Sequence, residues 1–126
     1  CGIPQAQAAE AKEREALPEI TVQQLKELMD KGADAFVLID VRNVNEYEIA
    51  RIPGSILVPL PEIERGAGIE KIRELAQGHQ IIAHCKMGGR SAKALSLLRE
   101  LGIEGTNVKG GITAWSREVD PSVPEY

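Results

Sequence analysis

Residues 36–41, Phe-Val-Leu-Ile-Asp-Val, form a near-continuous apolar run, and a second run, residues 80–84, leads directly into a cysteine. A strand with no polar face must be covered on both sides, which is the condition of a strand inside a parallel sheet. The segments around these runs have helical spacing. Thr21 and Gln24 stand at capping-box spacing and Ile20 and Leu25 at staple spacing. Val22, Leu25, Leu28 and Met29 form the stripe that follows, and Gly32 stops it. Residues 43–50 read as a short helix and 56–58 as a short strand bracketed by prolines. Ile69, Ile72, Leu75 and Ala76 mark a helix ending at Gly78. Ser91 is placed to cap a helix carrying Ala94, Leu95, Leu98 and Leu101, closed by Gly102. A strand at 106–108 and a helix at 112–119 complete the pattern. Strands alternating with helices predict an α/β fold: one domain with a central parallel sheet and helices on both faces.

A length of 126 residues suits one core, and 43% hydrophobic with 27% charged residues is ordinary globular composition. No apolar run reaches membrane-span length, and nothing at the start reads as a signal peptide. A net charge of −4 with 3% aromatics argues against a nucleic-acid platform. Cys1 and Cys85 are too few for a disulfide framework, and the two histidines have no metal-ligand spacing. This usage suits a reducing cytoplasm. Residues 1–17, rich in Ala, Glu, Gln, Lys and Arg without a large apolar stripe, read as a linker; the domain is expected over 18–120, and 121–126 as an irregular tail. A chain that begins with Cys1 instead of Met fits a piece cut from a longer protein, or an engineered one.

The chemistry-bearing stretch is Ile81-Ile82-Ala83-His84-Cys85-Lys86-Met87-Gly88-Gly89-Arg90-Ser91. A buried strand delivers Cys85 to its carboxyl end, where open α/β sheets hold their ligands. The following loop contains no proline, so each of residues 86–90 keeps an N–H to aim at the sulfur. Gly88 and Gly89 allow the loop to curl. A helix N-terminus adds partial positive charge, and Lys86 and Arg90 add full charges. All of these favour a thiolate, and the same cradle would stabilise the terminal sulfur of a persulfide. The competing reading makes Cys85 a small core residue at a strand end.

Cys85-Lys86-Met87-Gly88-Gly89-Arg90-Ser91 resembles the active-site loop of rhodanese-like domains. Leu38-Ile39-Asp40-Val41-Arg42, with Glu46, Tyr47 and Ile52-Pro53-Gly54-Ser55, resembles the first signature of that family. Val108-Lys109-Gly110-Gly111-Ile112 with Trp115 resembles its last. The family usually has Gly-His before the Ile-Pro-Gly turn, where this chain has Ala50-Arg51. The resemblance implies a sulfurtransferase in which Cys85 attacks a donor, holds sulfane sulfur as a persulfide and passes it on. Arg90 would fix the loop and attract an anionic substrate, although a solvated first-turn arginine meets the same pattern. Lys86 would steer anions, and an exposed lysine also needs no such role. Met87 would form an apolar lip for a protein acceptor. Asp40 and Arg42 are expected as an internal charge pair, supporting the site without touching substrate. His84 should face away from the sulfur, because adjacent strand residues point to opposite faces, and Trp115 should pack in the core.

Cys1-Gly2-Ile3-Pro4 and the segment after it look like the end of an E1-like adenylyltransferase domain, and residues 115–124 are similar to the tails of such fusions. This implies a role in molybdenum-cofactor biosynthesis or a related sulfur pathway. The partners would be a ubiquitin-like sulfur-carrier protein and a sulfur donor, thiosulfate or a cysteine desulfurase. ATP and any zinc would belong to the absent domain, with no cofactor in this one beyond the persulfide itself. Three alternatives compete: a free-standing thiosulfate sulfurtransferase, a cysteine-dependent phosphatase or arsenate reductase, and a non-catalytic rhodanese-like interaction module. Phosphatase loops place five residues between Cys and Arg, whereas four separate Cys85 from Arg90 here. The interaction modules typically lack the cysteine.

Overall fold

The computed structural model describes residues 17–32 and 36–125. Cys1 and all of the expected linker except Leu17 lie outside the described residues, as does Tyr126. The elements run β1 (Glu19–Ile20), α1 (Val22–Lys31), β2 (Phe36–Asp40), α2 (Val44–Ile49), β3 (Ile56–Leu57) and α3 (Leu60–Arg65). They continue with α4 (Ala67–Ala76), β4 (Gln80–His84), α5 (Gly89–Glu100), β5 (Thr106–Val108) and α6 (Gly111–Glu118). The strands form one sheet in the order β1-β5-β4-β2-β3, with every pairing parallel. The α/β architecture expected from the alternation is the one observed.

The two apolar runs, β2 and β4, pair at the centre of the sheet from Phe36 opposite Gln80 to Asp40 opposite His84. Successive side chains sort into two cores. Ile39, Val41, Ile81, Ala83 and Cys85 pack with Ile63, Ile72, Leu95 and Leu98 from α3, α4 and α5. Phe36, Leu38 and Ile82 pack on the opposite face with Leu25 of α1 and Ile112 and Trp115 of α6. The register thus commits Cys85 to the α5 side and the preceding His84 to the other.

At the start of α1, the Gln24 N–H donates to Thr21 Oγ1 (3.1 Å) and the Thr21 N–H to Gln24 Oε1 (2.9 Å), completing the expected capping box. Ile20 and Leu25 are both buried in the α1–α6 core. Two elements go beyond the sequence reading. The two-residue edge strand β1 is too short to show a period. The α3 helix begins Leu-Pro-Glu-Ile, with Pro61 in the first turn, where its missing N–H costs nothing. Gly66, at φ +99°, separates α3 from α4. Residues 121–125 of the expected tail form no helix or strand, yet Val123 is buried in the α1–α6 core and its carbonyl accepts from the Ser116 hydroxyl. Among the described residues, no helix is long and apolar enough to cross a membrane.

The expected cap at Ser91 is corrected. Gly88 takes the N-cap position at φ +117°, so α5 starts at Gly89 and Ser91 falls within its first turn. A left-handed glycine turns the chain earlier than a serine cap could, and this frees the Ser91 side chain for the sulfur.

Asp40 and Arg42 are both fully buried and form the expected internal pair. Arg42 Nη2 donates to Asp40 Oδ2 at 2.6 Å, and Nε donates to both carboxylate oxygens at 2.9 and 3.1 Å. The guanidinium also donates to the carbonyls of Ala50 (2.6 Å) and Glu46 (3.3 Å), tying the end of β2 to α2 and the loop after it. Removing one partner strands a buried charge. Arg42→Leu is therefore expected to destabilise the fold by about 3–5 kcal/mol in a urea titration. A loss under about 1 kcal/mol, the scale of a surface pair, would show that the site is not sealed as described.

Candidate active site

Strand β4 ends at His84, and Cys85 follows at the carboxyl edge of the sheet with only 2% of its surface exposed. The Gly88 N–H donates to Cys85 Sγ at 3.0 Å, and the Ser91 hydroxyl lies 3.5 Å from it. Burial alone would push the thiol pKa up. It is outweighed by hydrogen bonding from the Ser91 hydroxyl and from the N–H groups of Ser91, Gly88 and Met87, so the net direction is down. Of the loop amides, the Gly88 N–H makes the direct bond to the sulfur, and the Ser91 hydroxyl stands beside it.

Two peptide units of the loop, those that carry the Lys86 and Met87 N–H groups, are oriented from behind through their carbonyls. Ile112 N–H donates to Cys85 O (3.0 Å) and Thr113 N–H to Lys86 O (3.1 Å), so the first turn of α6 grips the back of the loop. These are N–H groups that a helix start leaves without intrahelical partners. The approach is close: a Cβ on Gly111 would stand 2.5 Å from both carbonyl oxygens, and its φ is +58°. Gly111 entered the sequence reading only through family resemblance. The contact that requires it joins residues too distant in sequence for local pattern to reveal.

Asn107 on β5 is a second residue missed by the sequence reading. Its Oδ1 accepts from Ser91 Oγ at 2.6 Å, and its Nδ2 donates to Gly88 O at 3.2 Å. A lone Asn in a three-residue strand carried no signal of this.

Arg90 lies in the first turn of α5 and is paired with Glu46 of α2 by two bonds, at 2.6 and 2.9 Å. Glu46 also accepts from the Asn43 N–H at 3.1 Å. Of the two expected roles of Arg90, the geometry supports loop fixation: the pair fastens the loop to α2, which Arg42 in turn fastens to β2. Asp40 and Arg42 are buried beneath the site and do not line it. Met87 is 69% exposed at the crown of the loop, and Lys86 is half-buried beside it. Trp115 is buried in the core.

His84 is fully buried on the α1–α6 side, with Nδ1 3.2 Å from Cys85 O and Nε2 3.8 Å from Asp40 Oδ2. Burial drives its pKa down against the opposing pull of Asp40, which favours the neutral ring. Its contact is with the Cys85 carbonyl, so it has no general-base geometry toward the thiol. At the departure from the family pattern, Ala50 is buried, and Arg51 is exposed with its guanidinium 4.2 Å from the Tyr47 ring centroid. The Tyr47 hydroxyl donates to Ser55 O, which keeps this turn closed.

A nucleophilic sulfur at the carboxyl end of a parallel strand, seated in an amide-lined loop, defines a cysteine-dependent α/β transfer domain. The chain belongs to the rhodanese-like domain family, a family of sulfurtransferases, whose model matches residues 21–118. It is 55% identical over 108 residues to an uncharacterized 16.5 kDa protein from the psaL 5′ region of Synechococcus elongatus, covering 86% of this chain and 72% of that one. It is 34% identical over 127 residues to the probable adenylyltransferase/sulfurtransferase MoeZ of Mycobacterium tuberculosis, covering 100% of this chain and 31% of that protein. Among solved structures, a rhodanese-related protein from Thermoplasma volcanium superimposes with a TM-score of 0.67 at 30% identity, covering 81% of this chain and 93% of that one.

Two outcomes follow from this geometry. The iodoacetamide alkylation rate of Cys85, followed from acid to alkaline pH, should reach half its plateau at a lower pH than an unstructured cysteine peptide; an equal or higher midpoint would contradict the cradle. Gly111→Ala, which drives a methyl group into the Cys85 and Lys86 carbonyls, should lower stability by about 1–3 kcal/mol and move that midpoint upward. An unchanged midpoint in a folded Gly111→Ala protein would show that α6 does not orient the loop.

Proposed function

We propose that Cys85 carries sulfane sulfur as a persulfide and delivers it to the adenylated C-terminus of a ubiquitin-like sulfur-carrier protein. The observation that carries the persulfide step is the convergence of the Gly88 N–H and the Ser91 hydroxyl on a Cys85 sulfur whose pKa is lowered. With thiosulfate as donor, the thiolate attacks the outer sulfur, a new S–S bond forms, and sulfite leaves with the electron pair of the broken one. The persulfide anion stays in the amide cradle. Its terminal sulfur then attacks the acyl-adenylate and expels AMP, leaving an acyl disulfide on Cys85. A thiol reductant cleaves that S–S bond and releases the thiocarboxylate. On this reading a cysteine desulfurase is an equivalent donor, and Met87 offers the carrier an apolar contact.

Likeness to an adenylyltransferase/sulfurtransferase along the whole of this chain supports the carrier as acceptor. Adenylation, with its ATP and any zinc, would then belong to another domain or protein, and the pathway would be molybdenum-cofactor biosynthesis or a related one. A reducing compartment such as the cytoplasm suits a carrier that is reset by thiols. A second reading, a free-standing thiosulfate sulfurtransferase, is favoured by the 16.5 kDa relative, of which this chain covers 72%. The phosphatase reading is disfavoured by the four-residue spacing and by Arg90, whose Nη1 and Nη2 face Glu46.

Incubation with thiosulfate should add the mass of one sulfur atom to the protein, removable by dithiothreitol and absent in Cys85→Ala. Equal gain by Cys85→Ala, or none by wild type from any persulfide donor, would end the catalytic reading. With adenylated carrier present, thiocarboxylate should appear on the carrier; sulfur transfer to cyanide but not to carrier would favour the free-standing enzyme.

A further inference from the structure

The Ser91 hydroxyl has one proton and three acceptors within reach: Asn107 Oδ1 at 2.6 Å, Gly88 O at 3.2 Å and Cys85 Sγ at 3.5 Å. A hydroxyl can serve one of them at a time. The Asn107 amide is oriented by its other end, since Nδ2 donates to Gly88 O, which leaves Oδ1 facing Ser91. An amide oxygen cannot donate, so the short Ser91–Asn107 bond is made with the serine proton. The serine oxygen then has lone pairs available toward the sulfur. This arrangement suits a protonated thiol, which can donate S–H to Ser91. It does not suit a thiolate, which needs the serine proton for itself.

We infer that Asn107 is a positioning residue that withholds the Ser91 proton from Cys85 in the thiol state, so that ionisation of the sulfur requires the hydroxyl to turn from Asn107 to Sγ. The turn leaves the Asn107 carbonyl, on a residue only 5% exposed, without its partner. A buried acceptor left in this way carries a penalty that the thiolate must overcome. Asn107 thereby holds the sulfur less acidic than the cradle alone would make it. Removing Asn107 does not release the loop, because Gly88 O also accepts the Ala92 N–H at 3.1 Å as the first bond of α5. The other charged and titratable groups nearby stay unchanged across the variants below. They are His84 and Lys86 beside the cysteine, the Arg90–Glu46 pair, Lys109 after β5, and Asp40 with Arg42 behind His84.

The inference rests on Cys85 being the reacting thiol, and its test reads ionisation of that thiol directly, without any sulfur transfer. The midpoint of Cys85 alkylation against pH is measured in wild type, Asn107→Leu, Ser91→Ala and the double variant, with Asn107→Ala alongside in case leucine does not pack. Loss of one hydrogen-bond acceptor should lower the midpoint in Asn107→Leu by about half to one pKa unit. Ser91→Ala should raise it, and adding Asn107→Leu to Ser91→Ala should change nothing further. An unchanged or raised midpoint in both Asn107 variants would overturn the inference. So would a shift of equal size with Ser91 already removed, since Asn107 would then act through the loop and not through the hydroxyl. Failure of either kind leaves the persulfide test above unaffected.

Discussion

The site depends on one arrangement of peptide dipoles: the carbonyls of Cys85 and Lys86 are engaged from behind by the first turn of α6. A peptide unit points its N–H and C=O in opposite directions, so fixing the carbonyls outward aims the following amides toward the sulfur. Gly111 makes the grip possible by letting two backbones meet where a side chain would intrude. The lowering of the cysteine pKa thus draws on two helices: the start of α5 supplies the Ser91 hydroxyl and the Ser91 and Gly88 N–H groups, and the packing of α6 orients the Met87 N–H. The β4 strand sets the position of the sulfur, and the start of α5, backed by α6, sets its surroundings.

The parity of the sheet divides the polar groups at its carboxyl edge into two sets with different tasks. Asp40 and His84, opposite each other in the register, face the α1–α6 side, where Arg42 ties β2 to α2. Cys85 faces the α5 side, where its sulfur is met by the neutral Gly88 amide and Ser91 hydroxyl. The two sets are joined through Glu46, whose carbonyl accepts from Arg42 and whose carboxylate holds Arg90. Formal charge therefore braces the scaffold, while neutral amides and a hydroxyl contact the sulfur. That division keeps the strongest electrostatic contacts in geometries that the reaction does not need to break.

The sequence made the central fold legible because burial on both faces leaves its mark on consecutive residues. The strand Gln80–His84 and the strand Thr106–Val108 were bounded correctly, and the Thr21 capping box was visible from spacing alone. Cys85 and its loop were legible because the amides that serve the sulfur lie within six residues of it. What lay hidden was set by contacts across the fold. Asn107 reaches Ser91 and Gly88 from a different strand, and Gly111 fits against carbonyls on another loop. The start of α5 was misplaced for a related reason: serine is a good cap in isolation, but a left-handed Gly88 turned the chain first. Edge strand β1 is defined by pairing to β5 rather than by any pattern of its own.

The 2% exposure of Cys85 bears on its survival as well as its chemistry. A cysteine made acidic is ordinarily also made vulnerable, since peroxides attack the thiolate and carry it toward sulfenic and sulfinic acids. Susceptibility follows access as well as ionisation, and here the resting sulfur is screened by the loop that activates it. Oxidants in bulk solvent meet Met87 at the crown before they meet the thiolate, so the exposed thioether stands as the more accessible sulfur of the two.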